Sequence, residues 1–378
     1  MEKSMSRAGT YRIHKTGEET YRSHVPTKLP MRLDLDAIYP LMEQAAFALG
    51  QLNGATNLIP NISLFLYMCV RQEAVLSSQI EGTQSSLNDL LLFENSQKPS
   101  VSLDDVEEAS NYVRALHYGL ERIRGKLPLS LRLLREIHGI LLQGTRGKNQ
   151  LPGEFRRSQN WIGGSRPGNA FFVPPAPEEM LPALNNLEQY WYDESVPLLV
   201  RTGVAHAQFE TIHPFLDGNG RVGRLLITLM LCNFGMLTEP VLYPSLHFKQ
   251  NRTVYYDLLN RVREKGDWEA WLKFFLEGVA AAARKALETI NAIGFLFDEC
   301  VSKIAALGPS RFSALAAFEC LKKIPQISVR TFAREAKLTP PTARAALKRL
   351  QSMGILNEIS TQRNGKAYVF QKYFDLWA

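Results

Sequence analysis

The chain has 378 residues, 45% of them hydrophobic and 21% charged, and a net charge of +7 from 44 Lys and Arg against 37 Asp and Glu. That length suits two or three domains, and the composition excludes a disordered, collagenous or disulfide-scaffold protein. The longest apolar stretch, Leu225 to Leu237, is broken by Thr228 and Asn233 and is too short to span a bilayer, and no secretory core follows the polar start, so a cytoplasmic protein with no membrane partner is expected.

Residues 1 to about 30 are polar and end in Pro30, which predicts a flexible or extended arm without chemistry. From Leu33 the apolar residues recur at helical spacing, first at Ile38, Leu41, Met42 and Ala45, then at Leu64, Tyr67, Met68 and Val75, so 31–125 reads as an N-terminal helical region. A helix over Leu129 to Leu142 opens a core region at 126–293, and the Gly- and Pro-rich stretch inside it places turn-prone Ser165 to Asn169 between Asn160–Gly164 and Ala170–Pro174, favouring a β-hairpin. In 308–378 a helix near Phe312 to Lys323, a second near Val329 to Ala336, a turn at Leu338 to Pro340, a third helix to Met353 and two strand-like pieces around Arg363-Asn364-Gly365 give a winged helix-turn-helix order. This segment carries twelve Lys and Arg but only four Asp and Glu, with Arg344, Lys348 and Arg349 on its third helix, so it holds the chain's basic character and makes DNA a candidate partner. Cys69, Cys232, Cys300 and Cys320 lie too far apart for a zinc or disulfide pattern and read as reduced, mostly buried residues.

The chemistry concentrates in His213-Pro214-Phe215-Leu216-Asp217-Gly218-Asn219-Gly220-Arg221-Val222-Gly223-Arg224. Gly218-Asn219-Gly220 precedes a long apolar helical run, so backbone N–H groups can form an anion cradle at a helix N-terminus. Arg221 and Arg224 fall in the first turn of that helix, where a cation opposes the dipole unless an anion is bound. Asp217 is placed to hold a divalent cation bridging phosphate oxygens, and His213 can exchange a proton near neutral pH. His206, seven residues earlier, reads as packing. No Lys-Ser or Lys-Thr follows the glycines, which excludes a Walker A loop.

The pattern HxFx[DE]GNGRxxR resembles the Fic family signature at every specified position. The resemblance implies a mainly α protein: an N-terminal helical region, a Fic helical core with a β-hairpin flap, and the C-terminal winged helix. It further implies a protein adenylyltransferase that moves AMP from ATP, with Mg²⁺, onto a Ser, Thr or Tyr hydroxyl of a target or of itself. His213 would be the base, Asp217 the Mg²⁺ ligand, and Gly218, Asn219, Gly220, Arg221, Val222, Gly223 and Arg224 the ATP site. Tyr255 would line the adenine pocket, with simple packing as the alternative, and the target would dock as a strand on the flap. A second match, Ser77-Ser78-Gln79-Ile80-Glu81-Gly82, resembles the family's inhibitory [ST]xxxE[GN]: Ser77 and Glu81 share a helix face, Gly82 marks the helix end, and Glu81 would take the arginine meant for the γ-phosphate. A nucleotide-sensing DNA-binding regulator, another nucleotide donor, AMP removal and a homodimer stand as alternatives.

Overall fold

The computed structural model describes residues 7–17, 19–56, 62–94, 98–361 and 365–377. Its first element corrects the expected arm: β1 (Thr10–Thr16) and β2 (Glu19–Val25) pair antiparallel from Thr10↔Val25 to Thr16↔Glu19. The two strands are rich in Thr, Tyr, Ile and Val, which favour a pleated, half-buried surface, and Gly17 supplies φ +62° at the turn. Partners distant in the chain hold this segment: His24 N–H donates to the Val173 carbonyl at 2.9 Å, Gln208 Nε2 to the Thr27 carbonyl at 2.7 Å, and Leu29 N–H to Asn186 Oδ1 at 2.8 Å.

The chain forms two compact units by its contacts, Met1–Asn53 with Val70–Ala283, and Gly54–Cys69 with Arg284–Ala378. Most of the expected N-terminal and core regions thus falls in one unit, while 54–69 of the first and 284–293 of the second group with the C-terminal residues. After the hairpin come α1 (Tyr39–Thr56), α2 (Ile62–Ile80), α3 (Leu87–Glu94), α4 (Leu103–Arg124), α5 (Leu131–Leu141), α6 (Pro177–Trp191), α7 (Leu198–Ile212), α8 (Asn219–Asn233), α9 (Ser245–Gln250), α10 (Arg252–Lys265) and the long α11 (Trp268–Ala305). α7 is buried around its whole circumference from Leu199 to Ile212, and α8 from Arg221 to Leu231, so the pair is the centre of this unit. α8 packs on α4, α5 and α7, and α6 on α7. Each fully buried Leu of α8, such as Leu225, Leu226 and Leu229, contributes about 1.5–3 kcal/mol.

The flap expected as a β-hairpin is a loop closed by one bridge, Ile162↔Phe172, with a 3₁₀ turn at Pro167–Asn169. Asn169 Oδ1 accepts the N–H groups of Ser165 and Arg166, both at 3.0 Å, so the side chain closes the turn that a longer ladder would otherwise set.

In the second unit α12 (Arg311–Leu321), β3 (Gln326–Ser328), α13 (Val329–Glu335), α14 (Pro340–Ser352), β4 (Asn357–Thr361), β5 (Gly365–Val369) and α15 (Gln371–Asp375) follow one another. The sheet order is β3-β5-β4, antiparallel throughout. Thr339 caps α14 by accepting the Thr342 N–H, and Pro340 at the first helical position suits that start. Ala343, Ala346, Leu347 and Leu350 face the core while Arg344 and Lys348 are exposed. Arg363 and Asn364 lie outside the described residues. Cys69 and Cys300 are buried, and Cys232 and Cys320 half-buried, and none of the four forms a disulfide.

Candidate active site

Between Ile212 and Asn219 the chain must reverse from one buried helix into the next, and two left-handed residues make that turn. They are His213 (φ +50°, ψ 60°) and Gly218 (φ +79°, ψ 4°). A β-carbon in that region costs on the order of 1–2 kcal/mol, so His213 must be held there by its surroundings. Arg156, almost wholly buried, does the holding: its Nε donates to the His213 carbonyl at 3.0 Å and its Nη2 to the Ile212 carbonyl at 3.4 Å, while its backbone N–H donates to the Pro214 carbonyl at 2.9 Å. Asn219 closes the loop from the other side, its Oδ1 accepting the Phe215 N–H and its Nδ2 donating to the Phe215 carbonyl, both at 2.8 Å.

His138 of α5 is a further brace. Its Nδ1 accepts the Gly153 N–H at 2.9 Å, which leaves Nε2 as the donor to the Asp217 carbonyl at 3.0 Å. Burial pushes its pKa down to about 4, in keeping with the neutral ring, which stacks on Phe215 at 3.7 Å.

His213 itself is a neutral imidazole. Burial first, then the Arg263 and Arg156 guanidiniums, push its pKa down to about 3, against the opposing Glu210 carbonyl and Glu81 carboxylate. Its Nδ1 is buried.

Both arginines of the motif are buried and both are paired. Arg224 Nε donates to Ser77 Oγ at 2.8 Å, and its Nη2 to the Ser77 carbonyl at 3.0 Å and to Glu81 Oε1 at 2.6 Å. Burial would raise the Glu81 pKa, but the Arg224 charge and hydrogen bond, helped by Arg221, hold it below the usual range. Glu81 sits just past the end of α2, and Gly82 follows at φ +102°. A β-carbon on Gly220 would collide with Glu81 Oε1, so this glycine lets a carboxylate lie against the first turn of α8, the place expected of an anion. Arg221 instead donates to Glu108 Oε2 of α4 at 2.9 Å and lies 3.5 Å from Asp217 Oδ1, so it is not free to reach toward a common anion as expected.

Two expected ligand residues face elsewhere. Val222 is fully buried and its N–H is spent on the Gly218 carbonyl at 3.0 Å, as the first amide of α8 that can close a helical bond onto the cap residue. Tyr255 is buried too: its hydroxyl donates to His206 Nε2 at 2.8 Å, and His206 Nδ1 donates to the Gly223 carbonyl at 2.9 Å, so both rings serve packing. Its neighbour Tyr256 is partly exposed, with the Arg252 guanidinium 5.4 Å above its ring, and burial together with Glu81 pushes its pKa up to about 12. Gly223 is required for close approach, because a β-carbon there would strike Glu210 Oε1 on α7.

Among the described residues no three His, Cys, Asp or Glu side chains gather as a metal cage. Asp217 has a half-exposed carboxylate whose Oδ1 accepts the Gly218 N–H at 2.6 Å. One such carboxylate is the donor set of a Mg²⁺ carried mainly by substrate phosphates and water.

Residues 39–121 match the Fic/DOC family N-terminal model and residues 128–231 the Fic/DOC family model. A protein adenylyltransferase Fic of Drosophila willistoni is 30% identical over 179 residues, covering 47% of this chain and 33% of the relative. One from Aedes aegypti is 36% identical over 130 residues, covering 33% and 23%. The chain thus spans about a third or less of the length of these curated relatives. A solved Fic family protein from Desulfovibrio desulfuricans G20 shares the fold over 91% of this chain and 98% of its own, with a TM-score of 0.60 and 19% identity. With both family matches in tandem around this loop, residues 39–121 and 128–231 belong to the Fic family.

Proposed function

We propose that the protein transfers AMP from ATP to a hydroxyl of a protein, and that Glu81 restrains the transfer. The observation that carries the reading is the Glu81–Arg224–Ser77 cluster beside His213, since a carboxylate there occupies the position and the arginine that a polyphosphate needs. His213 takes the proton of the target hydroxyl, whose oxygen attacks the α-phosphorus; the bond to the bridging oxygen breaks and pyrophosphate leaves. First-turn N–H groups of α8 at Asn219, Gly220 and Arg221 bind phosphate oxygens, and Arg224, once released, holds the γ-phosphate. Asp217 would hold Mg²⁺, which supplies charge neutralisation on the phosphates. Burial foremost, and then the Arg263 and Arg156 charges, depress this base, and a bound triphosphate offsets the part that comes from the charges. Tyr256, rather than Tyr255, is the ring available to the nucleotide.

The relatives' printed name, protein adenylyltransferase, supports this reading, and the test is direct. Protein incubated with Mg²⁺ and ATP labelled at the α-phosphate should acquire label, and His213→Ala should lose it by about 100-fold or more. Label of equal strength in His213→Ala would remove this histidine as the base.

A second reading concerns 308–378. The exposed Arg344 and Lys348 on α14 support a winged helix-turn-helix that contacts nucleic-acid phosphates. A gel shift that weakens steeply with salt is expected, and absence of binding at low salt would contradict it.

A further inference from the structure

α7 ends inside its unit, and a helix that ends in the interior must have its last carbonyls met by partners from elsewhere. The His213 N–H takes the Phe209 carbonyl at 2.9 Å, and the Ile212 and His213 carbonyls go to Arg156 as described above. The Glu210 carbonyl is met from α10, where Arg263 donates to it through Nη2 at 3.1 Å. The same guanidinium reaches Thr211 Oγ1 through Nε at 3.3 Å and Asn260 Oδ1 through Nη1 at 3.2 Å, and its carbon lies 4.1 Å from the centre of the Phe172 ring. Thr211 Oγ1 in turn donates to the Ala207 carbonyl at 2.8 Å, so Arg263 grips the final turn of α7 at two points.

A neutral donor can meet a carbonyl, so the charge has to be accounted for separately. Arg263 is 6% exposed, and among the described residues no carboxylate forms an ion pair with it. A buried cation without such a pair is costly, and the negative end of the helix offsets only part of that cost. Glu210 is the foremost carboxyl group acting on it, but burial raises that group to about 7, so at neutral pH it is charged only part of the time.

The neighbouring base accounts for the rest. His213 is acted on by Arg263 from α10, by Arg156 from the segment before the flap, by Glu81 at the end of α2 and by the Glu210 carbonyl of its own helix. That carbonyl, which favours a protonated ring, is the oxygen that accepts Arg263 Nη2. One guanidinium therefore fixes the turn from which His213 leaves and opposes a proton on its ring. Tyr256 stands seven residues before Arg263 on the same face of α10, so the ring offered to the nucleotide and the grip on the base belong to one helix.

We propose that Arg263 is a positioning residue for the His213 base: from α10 it fastens the last turn of α7 and holds a fixed positive charge beside the ring. The consequence for turnover rests on the transferase reading, since a base must be both aimed and free of its proton when the target hydroxyl arrives.

Two substitutions separate grip from charge. Arg263→Gln keeps a donor for the Glu210 carbonyl and loses the charge, whereas Arg263→Lys keeps the charge and loses the planar fork that serves Glu210, Thr211 and Asn260 together. Full-length protein carrying ¹⁵N-labelled histidine is titrated downward from neutral pH over the range in which it stays folded, with the His213 signals identified by their absence from His213→Ala. His213 should take up its proton about 1 pH unit earlier in Arg263→Gln than in the parent, the scale of one removed charge, and at the parent's pH in Arg263→Lys. In the Glu81→Gly background with Mg²⁺ and α-labelled ATP, Arg263→Lys should label about tenfold more slowly at unchanged ATP KM, because the base loses its aim while the phosphate site is intact. A merely structural arginine would lower both rates in step with melting temperature and leave the titration where it was. Arg263→Gln protein that melts and titrates like the parent would overturn the proposal, as would Arg263→Lys protein that labels at the parent's rate, and the second result decides alone if the glutamine variant does not fold. A Glu81→Gly parent that acquires no label would instead overturn the transferase reading, with the titration still deciding the role of the charge.

Discussion

Arg221 and Arg224 stand three residues apart at the start of α8, and each is held by a glutamate from the N-terminal helices, yet the two ends of this turn are built differently. The Arg221–Glu108 side chains are 4% and 8% exposed, so both charges are enclosed. In the Arg224–Glu81 pair the arginine is 1% exposed but the glutamate 34%. An enclosed pair cannot lose one member without stranding the other, whereas a pair with one wet partner can exchange it for another anion. The first pair therefore fastens α4 to α8, and the second is the movable one.

The largest expected effect breaks the comparison from the enclosed side. Glu108→Ala leaves the buried Arg221 guanidinium only the half-exposed Asp217 carboxylate, 3.5 Å away, and should cost about 3 kcal/mol of unfolding free energy in urea titrations. Glu81→Ala should cost about 1 kcal/mol or less, because solvent reaches the vacated position. Equal losses from the two would show that exposure does not distinguish them.

A middling effect comes from Glu73, two turns before Glu81 on α2 and buried beside Ser245, whose Oγ donates to it at 2.5 Å. Burial lifts its carboxyl from the ordinary 4.5 to about 7, against the lowering by the Ser245 hydrogen bonds. A raised carboxyl binds its proton more tightly in the fold, so its contribution is complete below pH 4.5 and is lost as pH rises through about 7. The stability of the wild-type protein relative to Glu73→Gln should fall across that window, by up to about 1.4 kcal/mol per pH unit. Glu210, also raised to about 7, titrates in both proteins and drops out of the difference. A gap that does not change with pH would mean Glu73 ionises normally.

The smallest effect separates two neighbouring rings. Tyr255→Phe removes the hydroxyl donated to His206 and should cost about 0.5–1.5 kcal/mol of stability with ATP KM unchanged. Tyr256→Ala should do the reverse, raising ATP KM severalfold with little change in melting temperature. The opposite pattern would return Tyr255 to the nucleotide site.

The same contrast explains what could be read from the chain. Residues 213–224 were legible because one short loop contains its own glycine turn, its Asn219 brace and the first turn of its helix. Glu81 was legible because Ser77, Glu81 and Gly82 mark a helix end that a positive partner must complete. Arg156, His138 and Glu108 were not, since each acts on the loop from a segment whose local pattern is ordinary and whose role exists only after the helices pack. Tyr255 and Tyr256 are adjacent on α10, so helical phase, not residue type, decides which ring is buried. The hairpin at 10–25 was hidden by polar side chains on a two-stranded ribbon whose partners, Val173, Gly168 and Glu179, lie far along the chain.

The most direct test of the account compares wild-type, Glu81→Gly and His213→Ala/Glu81→Gly proteins with Mg²⁺ and α-labelled ATP, following label on protein over time. If the wet glutamate is the restraint and the histidine the base, label is weak in wild type, at least about tenfold faster in Glu81→Gly, and absent when His213 is also removed. Transfer by Glu81→Gly no faster than by the wild-type protein would contradict the claim that the Glu81–Arg224 pair holds the site in check.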